Sequence, residues 1–143
     1  MKPPEPFTWF VDRSLGRKIV IDLRAAGFQI EEHAAHFKDD APDEEWLGEA
    51  GRRGWAVLTK DKAVRRNELE LAAIIAGHVA CFSLGQGNLK AAQMALAFIT
   101  ARPRMEKALR RFEPPMTASV TSSGHVSVLM ESGTLFPHPK VIK

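Results

Sequence analysis

Cysteine is nearly missing from this chain of 143 residues. The lone Cys81 sits in the apolar run His78-Val79-Ala80-Cys81-Phe82. It allows no disulfide framework within one chain and rules out cysteine-based zinc ligation. It reads as a small buried hydrophobe. Long apolar runs are missing too. None approaches the roughly 20 residues of a membrane span, so no membrane partner is expected. The segment Met1-Lys2-Pro3-Pro4-Glu5-Pro6 carries a lysine but no apolar stretch, so no signal peptide is expected and the cytoplasm is the expected compartment. A large charge excess is also absent. The net charge of +3 argues weakly for a nucleic-acid partner, and local placement of charge says more. There is no internal repeat and no low-complexity segment. Gly85-Gln86-Gly87 lacks the following lysine and hydroxyl residue of a P-loop.

What is present suits one compact domain with a core of its own. Phe7-Thr8-Trp9-Phe10-Val11 is short, apolar and β-prone, and predicts a buried strand ended by Asp12. Ser14 then caps a predicted helix to Ala26, with Leu15, Ile19, Leu23 and Ala26 on one face and Gly27 after its end. Phe28 to His33 reads as a second strand. After a polar loop from His36 to Ala41, Pro42 opens a helix to about Arg53, closed by Gly54. Trp55-Ala56-Val57-Leu58-Thr59 predicts a third strand running towards Asp61. Asn67 and Glu70 have the spacing of a capping box for a helix to Ala76, and His78 to Leu84 is a fourth strand. Asn88 caps a long helix that Pro103 is expected to break near Arg102, with helix resuming to Phe112. Glu113-Pro114-Pro115 is a stop. Thr117–Thr121 and Val126–Met130 then flank Ser122-Ser123-Gly124 as a hairpin, and the tail from Pro137 is expected to be loose. Alternating strands and helices predict a three-layer α/β/α domain. Its sheet would be mostly parallel with four or five strands, its core would span 7–112, and a C-terminal extension would cover 113–143.

In an open parallel sheet, sites form outside the carboxyl ends of the strands. Asp12 and Asp61 fall at two such ends. Asp43 reaches the same rim by another route. Positions i+3, i+4 and i+7 from Asp43 are Trp46, Leu47 and Ala50, the apolar face of its helix, so Asp43 starts the buried stripe. Glu45 shares a face with Glu49 and Arg52 and reads as solvated. Glu44 is intermediate and stands as a reserve ligand. Carboxylates converging on one rim repel one another unless a cation neutralises them, and hard oxygen ligands suit Mg²⁺ or Mn²⁺. Each aspartate also has an ordinary structural use, as a helix cap, a turn opener or a complement to a helix dipole.

These residues carry a resemblance. Phe10-Val11-Asp12-Arg13-Ser14-Leu15-Gly16, Asp43-Glu44-Glu45-Trp46-Leu47 and Val57-Leu58-Thr59-Lys60-Asp61-Lys62, in this order and spacing, resemble the PIN domain family. Within it they are most similar to the compact PIN-like group of bacterial toxin–antitoxin systems. The likeness spans roughly Phe7 to Gly85. It implies a Mg²⁺- or Mn²⁺-dependent endoribonuclease acting on RNA, often paired with a protein antitoxin and often a homodimer. It also implies Asp12, Asp61 and Asp43 or Glu44 as metal ligands, with Thr59 supporting them by hydrogen bonding. The family's further acid has no counterpart at Lys62-Ala63-Val64 or at Ser83-Leu84-Gly85-Gln86, so one metal site is expected rather than two.

Arg13, Lys60, Lys62, Arg65 and Arg66 cluster near these acids and suit contacts to a phosphate backbone. Arg102, Arg104, Lys107, Arg110 and Arg111 read as a solvated helix face. His33 and His36 read as loop histidines on the same rim, and Trp9, Trp46 and Trp55 as core. The missing further acid leaves a second reading open: a catalytically weak module that binds RNA or protein on the same scaffold.

Overall fold

The computed structural model describes residues 2–60, 68–85 and 88–143. Seven strands form one sheet in the order β2-β1-β3-β4-β5-β6-β7. They are β1 (Thr8–Val11), β2 (Gln29–Glu32), β3 (Ala56–Thr59), β4 (Ala80–Leu84), β5 (Met116–Val120), β6 (Val126–Glu131) and β7 (Thr134–Ile142). The first five are mutually parallel, and β6 and β7 continue the sheet antiparallel. Among the described residues the α-helices are α1 (Arg17–Ala25), α2 (His33–His36), α3 (Asp43–Arg53), α4 (Glu68–Gly77) and α5 (Ala91–Arg111). The mostly parallel α/β arrangement is therefore as expected. The hairpin does not stand apart as an appendage, however. Its first arm is the fifth parallel strand.

Helices α1 and α5 cover one face, where Trp9, Ile19, Leu23, Phe82, Phe98, Met105 and Leu109 are buried in one large cluster. Helices α3 and α4 cover the other, over a smaller cluster that includes Phe10, Trp46, Trp55, Val57 and Ile74. Phe10 stacks between Trp46 and Trp55, with ring centroids 5.5 and 5.6 Å away. Successive residues of β1 thus serve opposite faces, as the strand period of two requires. Helix α3 meets α4 backbone to backbone, because a Cβ on Gly51 would lie 1.7 Å from the Gly77 carbonyl oxygen. No larger residue fits there.

Four expectations are corrected. Helix α5 runs unbroken through Pro103. Apolar residues on both sides of the proline, from Phe98 and Ala101 to Met105 and Ala108, are buried in the same layer, and Pro103 itself is exposed, so solvent can serve the carbonyl it leaves without an N–H. The N-cap of α5 is Lys90, not Asn88, and its N–H donates to Gln93 Oε1 at 2.8 Å. Ser14 does not cap α1. It lies in a 3₁₀ turn, Arg13–Leu15, and Gly16 is the cap. The tail from Pro137 is ordered in β7, an edge strand where proline is tolerated. Ser132 and Gly133 join β6 to β7 with positive φ at both residues, as a type I′ hairpin turn requires.

The chain goes from β1 outward to β2, then returns across β1 to form β3. The strand order therefore reverses between β1 and β3, and open α/β sheets bind ligands at such a switch point.

Candidate active site

Asp12 follows the last residue of β1. Its backbone N–H donates to the Leu58 carbonyl at 3.0 Å, which extends the ladder between β1 and β3. This holds Asp12 beside Thr59, the last residue of β3. Thr59 is buried, and its hydroxyl donates to Asp12 Oδ2 at 2.9 Å. The Ser14 hydroxyl donates to the same oxygen at 2.8 Å. Two donors therefore fix one carboxylate oxygen. Among the described residues Oδ1 accepts no hydrogen bond. It is the oxygen with capacity for a ligand.

Asp12 lines a cleft of about 200 Å³ together with Arg13, Ser14, Asp43, Trp46, Leu47, Thr59, Glu70, Ile74 and Cys81. Asp43 is the first residue of α3, and its Oδ1 accepts a hydrogen bond from Trp46 Nε1 at 3.0 Å. The indole body packs on Phe10 while its N–H orients the carboxylate, so one side chain joins the core to the cleft. Glu44 and Glu45 are exposed and do not line the cleft.

Glu70 is the residue that sequence reasoning missed. Its sequence spacing is that of a capping box with Asn67, which lies outside the described residues. The structure places Glu70 in the wall of the cleft, one helical turn before the buried Ile74. The i, i+4 relation to Ile74 was the available signal. It was hidden because α4 is apolar on nearly every side.

Other sequence-predicted residues fall as follows. Arg13 lines the cleft and its guanidinium donates to the Asp39 carbonyl. Lys60 follows Thr59, is half-buried and does not line the cleft. Asp61, Lys62, Arg65 and Arg66 lie outside the described residues. His33 and His36 form both ends of α2 rather than a loop. His36 pairs with Glu31 Oε2 at 2.7 Å. Cys81 is buried at the cleft floor. Of the basic run on α5, Arg102 pairs with Glu106 and Arg110 with Glu5, and the guanidiniums of Arg102 and Arg110 lie over Phe28 and Phe7.

Carboxylates dominate the cleft's ionisable donors, and such oxygen ligands fit a hard divalent cation better than a soft one. Among the described residues no three His, Cys, Asp or Glu side chains come together closely enough to hold a metal ion. The fit is one of donor chemistry.

The family model described as PIN-like domain matches residues 8–86, which contain Asp12, Asp43 and Glu70. A protein of Mycobacterium tuberculosis with the provisional name ribonuclease VapC45 is 30% identical over 125 residues, covering 84% of this chain and 90% of its own length. No solved structure matches the chain. No helix among the described residues is long and apolar enough to cross a membrane. By the family model and by this relative, the chain belongs to the PIN domain family, in its VapC-type branch.

Proposed function

We propose that the protein is a divalent-metal-dependent endoribonuclease that hydrolyses RNA phosphodiester bonds, acting as the toxin of a toxin–antitoxin pair in the cytoplasm. The observation that carries this reading is the placement of Asp12, Asp43 and Glu70 around one cleft at the switch point of the sheet. The antitoxin partner follows from the resemblance to PIN-like toxins and from the relative's name.

Asp12, Asp43 and Asp61 would hold Mg²⁺ or Mn²⁺, with Glu70 taking the place for which Glu44 was the reserve. A divalent ion held there would supply positive charge to offset the carboxylates and the phosphate, and would make a bound water more acidic. The remaining work falls to the chain itself. Thr59 and Ser14 fix one oxygen of Asp12, and Trp46 fixes one oxygen of Asp43. Fixed carboxylates need no reorganisation when charge develops, which is where electrostatic catalysis gains most. Arg13 brings a guanidinium to the cleft wall for the phosphate backbone.

Asp12→Asn keeps an oxygen that Thr59 and Ser14 can reach, so the fold should survive. Cleavage of RNA should fall by at least about a hundredfold. Asp61→Asn should behave alike, and a chelator should reproduce both losses in the unsubstituted protein. Circular dichroism checks the fold and a labelled oligoribonucleotide the cleavage. Unchanged activity in both variants would sink the reading. No divalent-metal binding and no metal-stimulated cleavage would leave a binding module on the same scaffold.

A further inference from the structure

The net charge of +3 hides a division between the two faces of the sheet. Helix α1 carries Arg17, Lys18 and Arg24 against the single acid Asp22. Helix α5 carries Arg102, Arg104, Lys107, Arg110 and Arg111 against the single acid Glu106. The two helices pack on each other over one cluster. Together they hold eight cations and two acids, a net +6. Helices α3 and α4, on the other face, hold six acids and two cations, a net −4. Alone, the run on α5 reads as a solvated helix face. Joined to α1, it becomes a basic surface on one side of the molecule.

Four of the eight cations have acidic partners: Lys18 with Asp22, Arg24 with Glu32, Arg102 with Glu106, and Arg110 with Glu5 and Glu106. Pairs of this kind at the surface hold weakly, and salt loosens them. Among the described residues Arg17, Arg104, Lys107 and Arg111 pair with no acidic side chain. Arg104 donates to the Gly124 carbonyl and Lys107 to the Lys143 carbonyl. Like charges gathered on one surface repel one another and draw a polyanion to it.

The chemistry favours phosphate. Six of the eight cations are arginines, whose planar fork matches phosphate oxygens bidentately. Three of them are braced on aromatic rings. The Cζ atoms of Arg102, Arg111 and Arg110 lie 4.4, 5.0 and 5.6 Å from the ring centroids of Phe28, Phe112 and Phe7. An acidic protein would need apolar anchors as well. Among the described residues, these two helices expose only Ile21 and Leu96 as large hydrophobics. The row of cations also reaches the cleft. Arg13 lines the cleft, and Arg17 follows four residues later at the start of α1. Arg102 of α5 lies against the far end of α1, its Nη1 3.6 Å from where a Cβ on Gly27 would stand.

We infer that the α1–α5 face is a docking surface for the RNA backbone, which holds the strand flanking the nucleotide at the acidic cleft. The inference rests on the reading of that cleft as an RNA-cleaving site. Binding on this face does not need the carboxylates to act, so it is measured apart from cleavage.

A labelled single-stranded oligoribonucleotide is titrated with the full chain in the presence of a chelator, and its anisotropy is followed at increasing salt. The triple variant Arg17→Ala, Lys107→Ala, Arg111→Ala removes three exposed cations that pair with no acidic side chain, and circular dichroism checks its fold. Affinity at low salt should fall at least tenfold. The slope of log affinity against log salt should fall by about 2, at about 0.7 for each lost contact to a single strand. The double variant Arg52→Ala, Arg53→Ala, on α3, should leave both unchanged. With Mg²⁺ restored, the triple variant should raise KM far more than it lowers kcat. A loss of slope no larger than in the α3 variant, or an unchanged affinity, would overturn the surface even if the protein cleaves RNA. Polyglutamate that displaces the RNA as well as RNA of equal charge does would overturn it too, and would mark the face as a site for an acidic protein. RNA binding that depends on this face, with no cleavage once metal is added, would keep the surface and remove the nuclease reading.

Discussion

On one face of the sheet, α1 and α5 lay a continuous apolar layer over β1, β3, β4 and β5. On the other, α3 and α4 lay a smaller layer built around Phe10, Trp46 and Trp55, and a cleft opens between these helices and the strand ends. The large layer has few polar atoms to position and contributes mainly burial. In the small one, residues do two jobs: Trp46 packs and orients Asp43, and Ile74 packs while α4 presents Glu70. The pairing of a heavy face with a light one leaves room for charged groups without exposing the core.

The largest expected effect comes from cutting into the heavy face. Phe98 is fully buried on α5. Phe98→Ala removes a ring from a layer that cannot collapse onto the gap, and should cost about 3–5 kcal/mol in a urea titration. The variant that still folds should keep its specific activity per folded molecule, since Phe98 lies across the sheet from the cleft. A loss of less than about 1 kcal/mol, or a loss of activity in the folded fraction, would break the division of labour between the faces.

A smaller and sharper test lies in the light face. Trp46→Phe keeps an aromatic ring beside Phe10 but deletes the N–H that holds Asp43. Stability should fall by about 1–2 kcal/mol. Cleavage should fall by about tenfold, the usual scale for losing a group that orients a metal ligand. Equal losses of stability in Trp46→Phe and Phe98→Ala would show that the two layers carry the same load.

The same contrast explains what was legible in the sequence. Strands β1 and β3 are short apolar runs with a polar stop, and α3 has a clean apolar stripe. From these alone Asp12 and Asp43 could be set at one rim, and the structure brings both to one cleft. Glu70 was illegible because α4, Glu68–Gly77, is apolar nearly all round, so periodicity selects no face, and a capping role explained the residue locally. Strand β7 was illegible for the opposite reason. Nearly all of its residues are exposed, so it lacks the alternation that marks a half-buried strand, and it is held by pairing with β6 and by Ile142 and Phe136, which pack on the core. Pro103 misled because a local rule was overridden by burial on both sides of it. The hydroxyl of Ser14 competes for a helix N-terminus and a carboxylate alike, and only the position of Thr59 decides between them.

The smallest expected effect lies on the solvent side of the light face, where α3 is stitched by charge. Glu49 accepts from Arg52 Nε at 2.8 Å, Arg52 Nη2 at 2.6 Å and Arg53 Nε at 2.8 Å. The hydrogen bonds from Arg52, then those from Arg53, lower its carboxyl from the ordinary 4.5 to about 2. A depressed carboxyl contributes stability that is fully present above the unfolded value and is lost as pH falls through the folded one. The contribution of Glu49 should therefore be constant above about pH 4.5 and fade towards pH 2. Because the group is on the surface and salt screens it, the effect should be slight and should shrink at high ionic strength. Urea midpoints of Glu49→Gln and the unsubstituted protein, measured from pH 7 down to pH 2, should differ by a small fixed amount and then converge. Convergence already at pH 4.5, or a difference that grows on acidification, would show that the arginines do not hold Glu49 and that the light face stands on its aromatic layer alone.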